Sequence, residues 1–314
     1  MRSLSALESD FWRAPSAHNT QPWVLRYSDD AVEVGWDPGR VLPEGDPTGR
    51  DLRLSLGAFV ECCLVVCAGA GLRVGFRVEE GPHRVGVLHR AGEPYDTPFT
   101  VEDVRRRASA RGGYRPGRLD ARLVEELAGY GGELRRVPCR ELTGLLREAD
   151  RDLFGDAPVT AELRHWLRLA PSHPRYRLDG LTDRALALSR AEALGLRAAL
   201  SLLAHPLPRR AGLPRALAAA SRGLLDHDGD VLVLVAPKDC GPAGQVTMGR
   251  VLMRQWLALS RHGHATHPLS QIIDRAGTRA ALARLLGVDD PARLMNVARV
   301  GRPAGPPTRS ARLR

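Results

Sequence analysis

A chain of 314 residues, 43% hydrophobic and 26% charged, has the make-up of a globular protein and can bury a substantial core in one large domain or two ordinary ones. The net charge of +10 raises nucleic acid as a partner. Against that, 45 of the 46 basic residues are arginine, Lys238 being the lone lysine; they are scattered as a GC-rich coding sequence scatters them, and no basic stretch is interleaved with aromatics, so no nucleic-acid partner is expected. The longest apolar run, Leu56–Leu72, carries Glu61 in its middle and falls short of a membrane span, and Met1–Asp10 holds no signal-peptide core, so the expectation is a cytoplasmic protein without a membrane partner.

A short helical pattern (Leu4, Leu7, Phe11) leads into Ala14-Pro15-Ser16-Ala17-His18-Asn19-Thr20-Gln21-Pro22-Trp23. Two prolines bracket a hydroxyl and two amides, which suits either a helix-to-strand turn or a rigid loop that hydrogen-bonds the edge of a flat heterocycle. Strands follow over Val24–Tyr27 and Ala31–Trp36, then a long helix from about Thr48 to Ala70 with Leu52, Leu56, Phe59, Val60, Cys63 and Cys67 apolar. Its near-continuous apolar character from Leu56 predicts burial on most sides, and Gly57 and Ala58 would admit a second helix at close range. Cys62, Cys63 and Cys67 read as small core residues; with no Cys-x-x-Cys pair, and with Cys139 and Cys240 isolated, neither a disulfide nor a metal site is expected. Strands are predicted at Leu72–Glu79 and Arg84–His89.

From Thr100 a helix is predicted through Arg105-Arg106-Arg107-Ala108-Ser109-Ala110-Arg111, stopping at Gly112-Gly113. Guanidinium forks and a hydroxyl at a helix end can hold a phosphate, although three adjacent arginines also suit a solvated face. A helix (Leu119–Leu127) and a strand (Glu133–Val137) come next. A helical segment rich in Ala, Leu and Arg fills 172–228, broken at Pro206, Pro208 and Pro214. Then come the strand Asp230–Ala236, the helix Gln245–Ser260, the strand-like Gly263–His267 and a closing strand over Leu294–Pro303. His262, His264 and His267 cluster without nearby carboxylates, so no metal is expected there. His165-Trp166 reads first as core. No Gly-x-Gly-x-x-Gly follows a strand, which argues against a dedicated dinucleotide domain.

The string Ser16-x-x-Asn19-x-Gln21-Pro22-Trp23 resembles the flavin-contacting loop of the nitroreductase family, FMN-dependent oxidoreductases with an α+β fold. Arg107-Ala108-Ser109-Ala110-Arg111 resembles the Arg-x-Ser-x-Arg/Lys with which ordinary members open, and whose residues hold the FMN phosphate and the flavin's polar edge. Here it lies downstream of the loop. Two fused, nitroreductase-like halves account for that inversion: 1–95, which keeps the loop, and 100–314, which keeps the arginine motif. The helices Leu52–Gly71 and Met248–Gly263 would be counterparts. The resemblance covers roughly 1–80 and 100–310 and points to the single-chain, Acg-like branch.

The resemblance therefore implies mostly antiparallel central sheets flanked by helices, in two pseudo-repeats. It also implies one FMN per chain, held by Pro15, Ser16, Ala17, Asn19 and Gln21 on the loop and by Arg107, Ala108, Ser109 and Arg111 on the basic motif. Pro268, Leu269 and Ser270 would run past the flavin ring, and Arg309 would complete the phosphate site. Segment 172–228 has no repeat partner and is expected to insert as a lid. The activity implied is hydride transfer between flavin and a small molecule, a specialised-metabolite intermediate among the candidates, with NAD(P)H as a possible donor. The alternative is a protein that sequesters FMN with little turnover; a cofactor-free partner of another enzyme is the third reading. Catalytic residues, substrate and direction are not assigned, and the chain is expected to be a monomer with an internal pseudo-dimer or a homodimer.

Overall fold

The computed structural model describes residues 1–221 and 223–314. Its frame is a pair of four-stranded antiparallel sheets. The strands, in chain order, are β1 (Trp23–Tyr27), β2 (Ala31–Trp36), β3 (Val74–Gly81), β4 (Arg84–Arg90), β5 (Glu133–Pro138), β6 (Leu167–Arg168), β7 (Leu181–Thr182), β8 (Asp230–Val235), β9 (Ala265–Pro268) and β10 (Leu294–Gly301). One sheet runs β1-β2-β4-β3 and the other β5-β8-β10-β9; β6 and β7 form a separate parallel pair. In both large sheets a 20-residue helix joins the second strand to the third, Arg50–Gly69 in one and Pro242–Arg261 in the other. This is a mixed α+β fold with antiparallel sheets, the fold class that the family resemblance implied.

The two long helices also end alike. Gly71 and Gly263 adopt φ of 70° and 73°. Their N–H groups reach back to the carbonyls of Ala68 and Ser260, while Leu72 and His264 bond the carbonyls of Cys67 and Leu259. This is the Schellman ending, in which a residue with positive φ satisfies orphan carbonyls. It takes up Gly71-Leu72 and Gly263-His264, so β3 and β9 each start two residues later than the predicted strands.

The helices cross at glycines. A Cβ on Gly57 would lie 2.0 Å from the Val246 carbonyl oxygen, and one on Gly249 would lie 2.3 Å from that of Leu54. Only hydrogen at these points allows the backbones to touch. Every residue from Leu54 to Cys67 is buried. By length and composition alone Arg50–Gly69 could cross a membrane, but most of its apolar residues are buried in the fold.

The predicted helix over Thr100–Arg111 needs correction. A capping box between Thr100 and Asp103 starts it, but it covers only Val101–Arg106. Arg107 turns out of the helix (φ −55°, ψ 128°), Ser109 bridges Thr266 of β9, and the Ala110 N–H bonds the Thr266 carbonyl at 3.0 Å. Burial of Arg107 and pairing with a strand outweigh the helical preference of an Arg- and Ala-rich run.

Segment 172–228 contains helices Arg190–Leu202, Pro206–Arg210 and Leu213–Ala220. Leu200 and Leu203 are buried against Leu167 and Leu181, with Phe154, Leu163 and Leu217 packed around them.

Candidate functional site

The Ala14–Trp23 loop is anchored by aromatic packing. Trp23 stacks on Phe59 of the first long helix with centroids 4.6 Å apart, and Trp12 meets both rings edge-on. Between the prolines the backbone is strained: His18, Asn19 and Gln21 have φ of 46°, 54° and 51°. Non-glycine residues held there cost on the order of 1–3 kcal/mol each and persist only where their surroundings enforce them.

Much of that enforcement comes from the far end of the chain. Asn19 Nδ2 donates to the carbonyls of Gly180 (3.2 Å) and Ala311 (3.1 Å), and its Oδ1 accepts from Arg312 Nη1 at 3.0 Å. Gln21 Nε2 donates to the Leu178 carbonyl at 2.9 Å, and its Oε1 accepts from the Leu313 N–H at 2.9 Å. Ser16 Oγ accepts from the Gln21 N–H at 2.9 Å.

Loop, basic motif and tail together enclose a polar cleft. Pro15, Ser16 and Asn19 line it from the loop; Arg107, Ala108, Ser109 and Arg111 from the middle of the chain; Arg309, Ser310 and Arg312 from the tail. Arg13 and Arg105 complete six arginines, and no carboxylate lines the cleft among the described residues. Arg107 is only 8% exposed, with Nη2 donating to the Arg13 carbonyl at 3.0 Å. Among the described residues its Nε and Nη1 have no partner, nor do Nε of Arg13 and of Arg312. Burial holds all three of Arg107, Arg111 and Arg312 below the ordinary arginine range, Arg111 at about 10 and Arg312 at about 9; the Arg107 and Arg13 charges also depress Arg312. These groups remain cationic at neutral pH. Buried, unpaired guanidinium groups are costly, and an anion with several acceptor oxygens relieves that cost. The donor set fits a phosphate.

Pro15, Ser16, Ser109, Arg111 and Leu181 also border a second, larger cavity of about 310 Å³. Its apolar wall includes Leu54, Ala58, Phe154, Leu163, Leu252 and Trp256. Ala17, Pro268 and Ser270 line it, as do His18, Asp51, His267 and Asp274. From 172–228 the lining residues are Leu181 and Leu186, so the three helices of that segment back the cavity wall without facing it. Burial lowers His18 to about 4 despite the nearby Asp51 carboxylate, so its imidazole is neutral at pH 7. Its buried Nδ1 has no partner among the described residues. Asp274 moves upward through burial and the Asp51 charge, although Arg50 Nη2 binds it at 2.5 Å.

Two expected residues line neither compartment. Gln21, 1% exposed, turns its amide to Leu178 and Leu313, and Leu269, fully buried, packs behind the second sheet with Ile272 and Val297. Trp166 is core, 4% exposed, with Arg40 and Arg168 over its ring. Conversely, Arg13, His18, Asp51, Asp274 and Arg312 were missed. His18 sits inside the motif, but nothing in the sequence signals its positive φ, and Arg312 is indistinguishable from the other arginines of the tail.

No protein-family model matches the chain. Curated relatives do. Putative NAD(P)H nitroreductase Rv3131 of Mycobacterium tuberculosis is 30% identical over 165 residues, 49% of this chain; the match spans 48% of that protein, about half its length. Putative NAD(P)H nitroreductase Acg of the same organism is 27% identical over 291 residues, 92% of this chain and 86% of the relative. Probable NAD(P)H nitroreductase PigM of a Serratia species is 25% identical over 317 aligned positions, 88% of this chain and 82% of the relative. At 25–30% identity, the chain is similar to proteins named as NAD(P)H nitroreductases, and it spans about half the length of the first of them.

Proposed function

We propose that the chain is an FMN-dependent oxidoreductase of nitroreductase type, with NAD(P)H as electron donor and a small molecule as the second substrate. One observation carries this reading: the partnerless guanidinium atoms of Arg107 and Arg312 line a cleft that borders a largely apolar cavity of about 310 Å³. An anion-holding end joined to an apolar chamber matches a phosphorylated, flat heterocycle. The shared strand order and the shared 20-residue helix of the two sheets support the further reading that 1–95 and 100–314 are fused halves making one flavin site.

Bound FMN supplies hydride transfer, and the chain supplies position and electrostatics. Arg107 and Arg312 would hold the phosphate, with the Ser109 and Ser310 hydroxyls as further donors. Arg111, which borders both compartments, would supply positive charge to stabilise negative charge developing on the reduced flavin. Pro15, Ala17 and Pro268 would supply packing surface, and Leu163 and Phe154 would exclude water. His18, neutral at pH 7, has a ring nitrogen free to hydrogen-bond what enters.

The deciding measurement is flavin content against chain mass in the purified protein. One FMN per chain is expected. A colourless protein that takes up no FMN overturns the assignment, and two FMN per chain overturn the fused halves. Rapid mixing with NADPH then separates turnover from storage: bleaching of the flavin colour is expected, whereas a bound flavin inert to every donor substrate leaves the FMN-sequestering alternative.

A further inference from the structure

A second basic depression opens beside the cavity. Its volume is about 620 Å³, within the roughly 300–1,000 Å³ typical of ligand sites. Four pieces of chain wall it: the end of the helix Thr143–Gly155, Arg209 and Arg210 of the helix Pro206–Arg210, Gly212–Arg215, and the first turn of the helix Ala276–Leu286. Cavity and trough meet along consecutive residues. Phe154 lines the cavity while Gly155 and Asp156 line the trough; Asp274 lines the cavity while Ala276 and Gly277 line the trough; Arg275 borders both.

The trough's charge is uncompensated. Its two carboxylates are already engaged, Asp152 with Arg151 at 3.3 Å and Asp156 with Arg275 at 2.9 Å. Among the described residues, no carboxylate pairs with Arg209, Arg210 or Arg215, and the buried Nε atoms of Arg209 and Arg275 have no partner. The helix Ala276–Leu286 adds the positive end of its dipole.

We propose that this trough docks the phosphates of a pyridine dinucleotide, so that the nicotinamide passes Arg275 into the cavity. Three arginines without a carboxylate partner among the described residues suit the 2′-phosphate form, NADPH, over NADH: the monoester adds close to two further negative charges. The proposal rests on the oxidoreductase reading and supplies what a chain without a Gly-x-Gly-x-x-Gly turn lacks, a means of holding the donor by its phosphates from side chains.

The test is calorimetric titration of 2′,5′-ADP, ADP and inorganic phosphate into the purified full chain, at low and high salt. The parent should bind 2′,5′-ADP more tightly than ADP and far more tightly than phosphate, with affinity falling as salt rises. The Arg210→Glu/Arg215→Glu double variant should lose at least about tenfold in 2′,5′-ADP affinity. Its FMN content should stay at the parent level, because neither residue borders the cleft or the cavity. If the charge reversal unfolds the chain, Arg210→Gln/Arg215→Gln is read the same way and should weaken binding in the same direction. Unchanged affinity in a folded variant overturns the proposal. So does a parent that binds none of the three, or one that binds phosphate as tightly as 2′,5′-ADP, which marks an unspecific anion patch. The titration needs no flavin, so a failed FMN assignment shows separately, as a colourless protein.

Discussion

Two groups of arginines lie within the same fold, and they differ in one respect. Arg250 and Arg254, on the second long helix, reach Glu61 on the first with Nε to carboxylate distances of 2.9 and 2.8 Å. Glu61 is fully buried and also accepts from the Tyr95 hydroxyl at 2.7 Å. Both cations share that one buried carboxylate, and the cluster fastens one helix to the other beside the Gly57–Gly249 crossing. In the cleft, Arg107, Arg111 and Arg312 donate to backbone carbonyls and one side-chain amide oxygen, and among the described residues no carboxylate pairs with them or with Arg13. A folded chain tolerates buried, unpaired cations only where something else supplies the missing charge. The number of arginines says little about function here; the presence or absence of a counter-charge separates a structural cluster from a site.

The largest expected effect breaks the compensated side. Glu61→Gln leaves Arg250 and Arg254 without a buried counter-ion and should cost about 3–5 kcal/mol of folding stability, read as a fall in denaturation midpoint with or without FMN. A variant as stable as the parent would mean the cluster fastens nothing. Arg107→Ala is the opposite case. FMN affinity should fall by about 2–3 kcal/mol, roughly 30- to 150-fold, in an equilibrium dialysis read by flavin fluorescence. The flavin-free protein should hold its stability or gain some, since an unpaired buried charge has gone. Parent-like FMN affinity would remove Arg107 from the site.

The halves of this comparison were unequally legible. The helix carrying Glu61 announced itself through Leu56, Phe59, Val60 and Cys63, and its end through Gly71, because apolar spacing and a glycine after the last turn are local signals. The motif around Ser16 and Asn19 and the segment Arg107–Arg111 were visible as strings and do border one cleft. What the string could not convey was direction. Gln21 has the expected residue type, yet its amide is spent on Leu178 and on Leu313, 292 positions away. Arg312 closes the same long-range knot, and among 45 arginines no local pattern marks it. The helix end at Arg106 was misjudged for the same reason: it depends on Ser109 finding Thr266 across the molecule.

A middle-sized effect tests whether the cleft's charge reaches the cavity. His267 Nδ1 accepts from Arg299 Nη2 at 3.2 Å; burial first, then the Arg111 and Arg299 charges, keep its pKa well below 6.5. The folded chain therefore holds neutral imidazole while the unfolded chain takes up a proton below about 6.5, so this residue's contribution is intact above that pH and is lost as pH falls. The loss grows as pH falls from 6.5 towards 5. The rise in Asp274 acts in the opposite sense, so the informative quantity is the difference between parent and His267→Gln denaturation curves across that range. Parallel curves would mean that His267 titrates as if exposed.

The smallest effect lies two residues from the second largest. Arg105 borders the same cleft as Arg107, but it is exposed and already forms a two-pronged contact with Asp10, both arms at 2.8 Å. An exposed cation with its own carboxylate has little left for a ligand, and salt screens what remains. Arg105→Ala should leave FMN affinity within about twofold of the parent at physiological salt, where Arg107→Ala does not. Asp10→Ala should then raise FMN affinity slightly, by freeing Arg105 towards the cleft. Should Arg105→Ala weaken FMN as much as Arg107→Ala, the counter-charge criterion fails within a single Arg-Arg-Arg triplet, and simple proximity to the cleft would account for both.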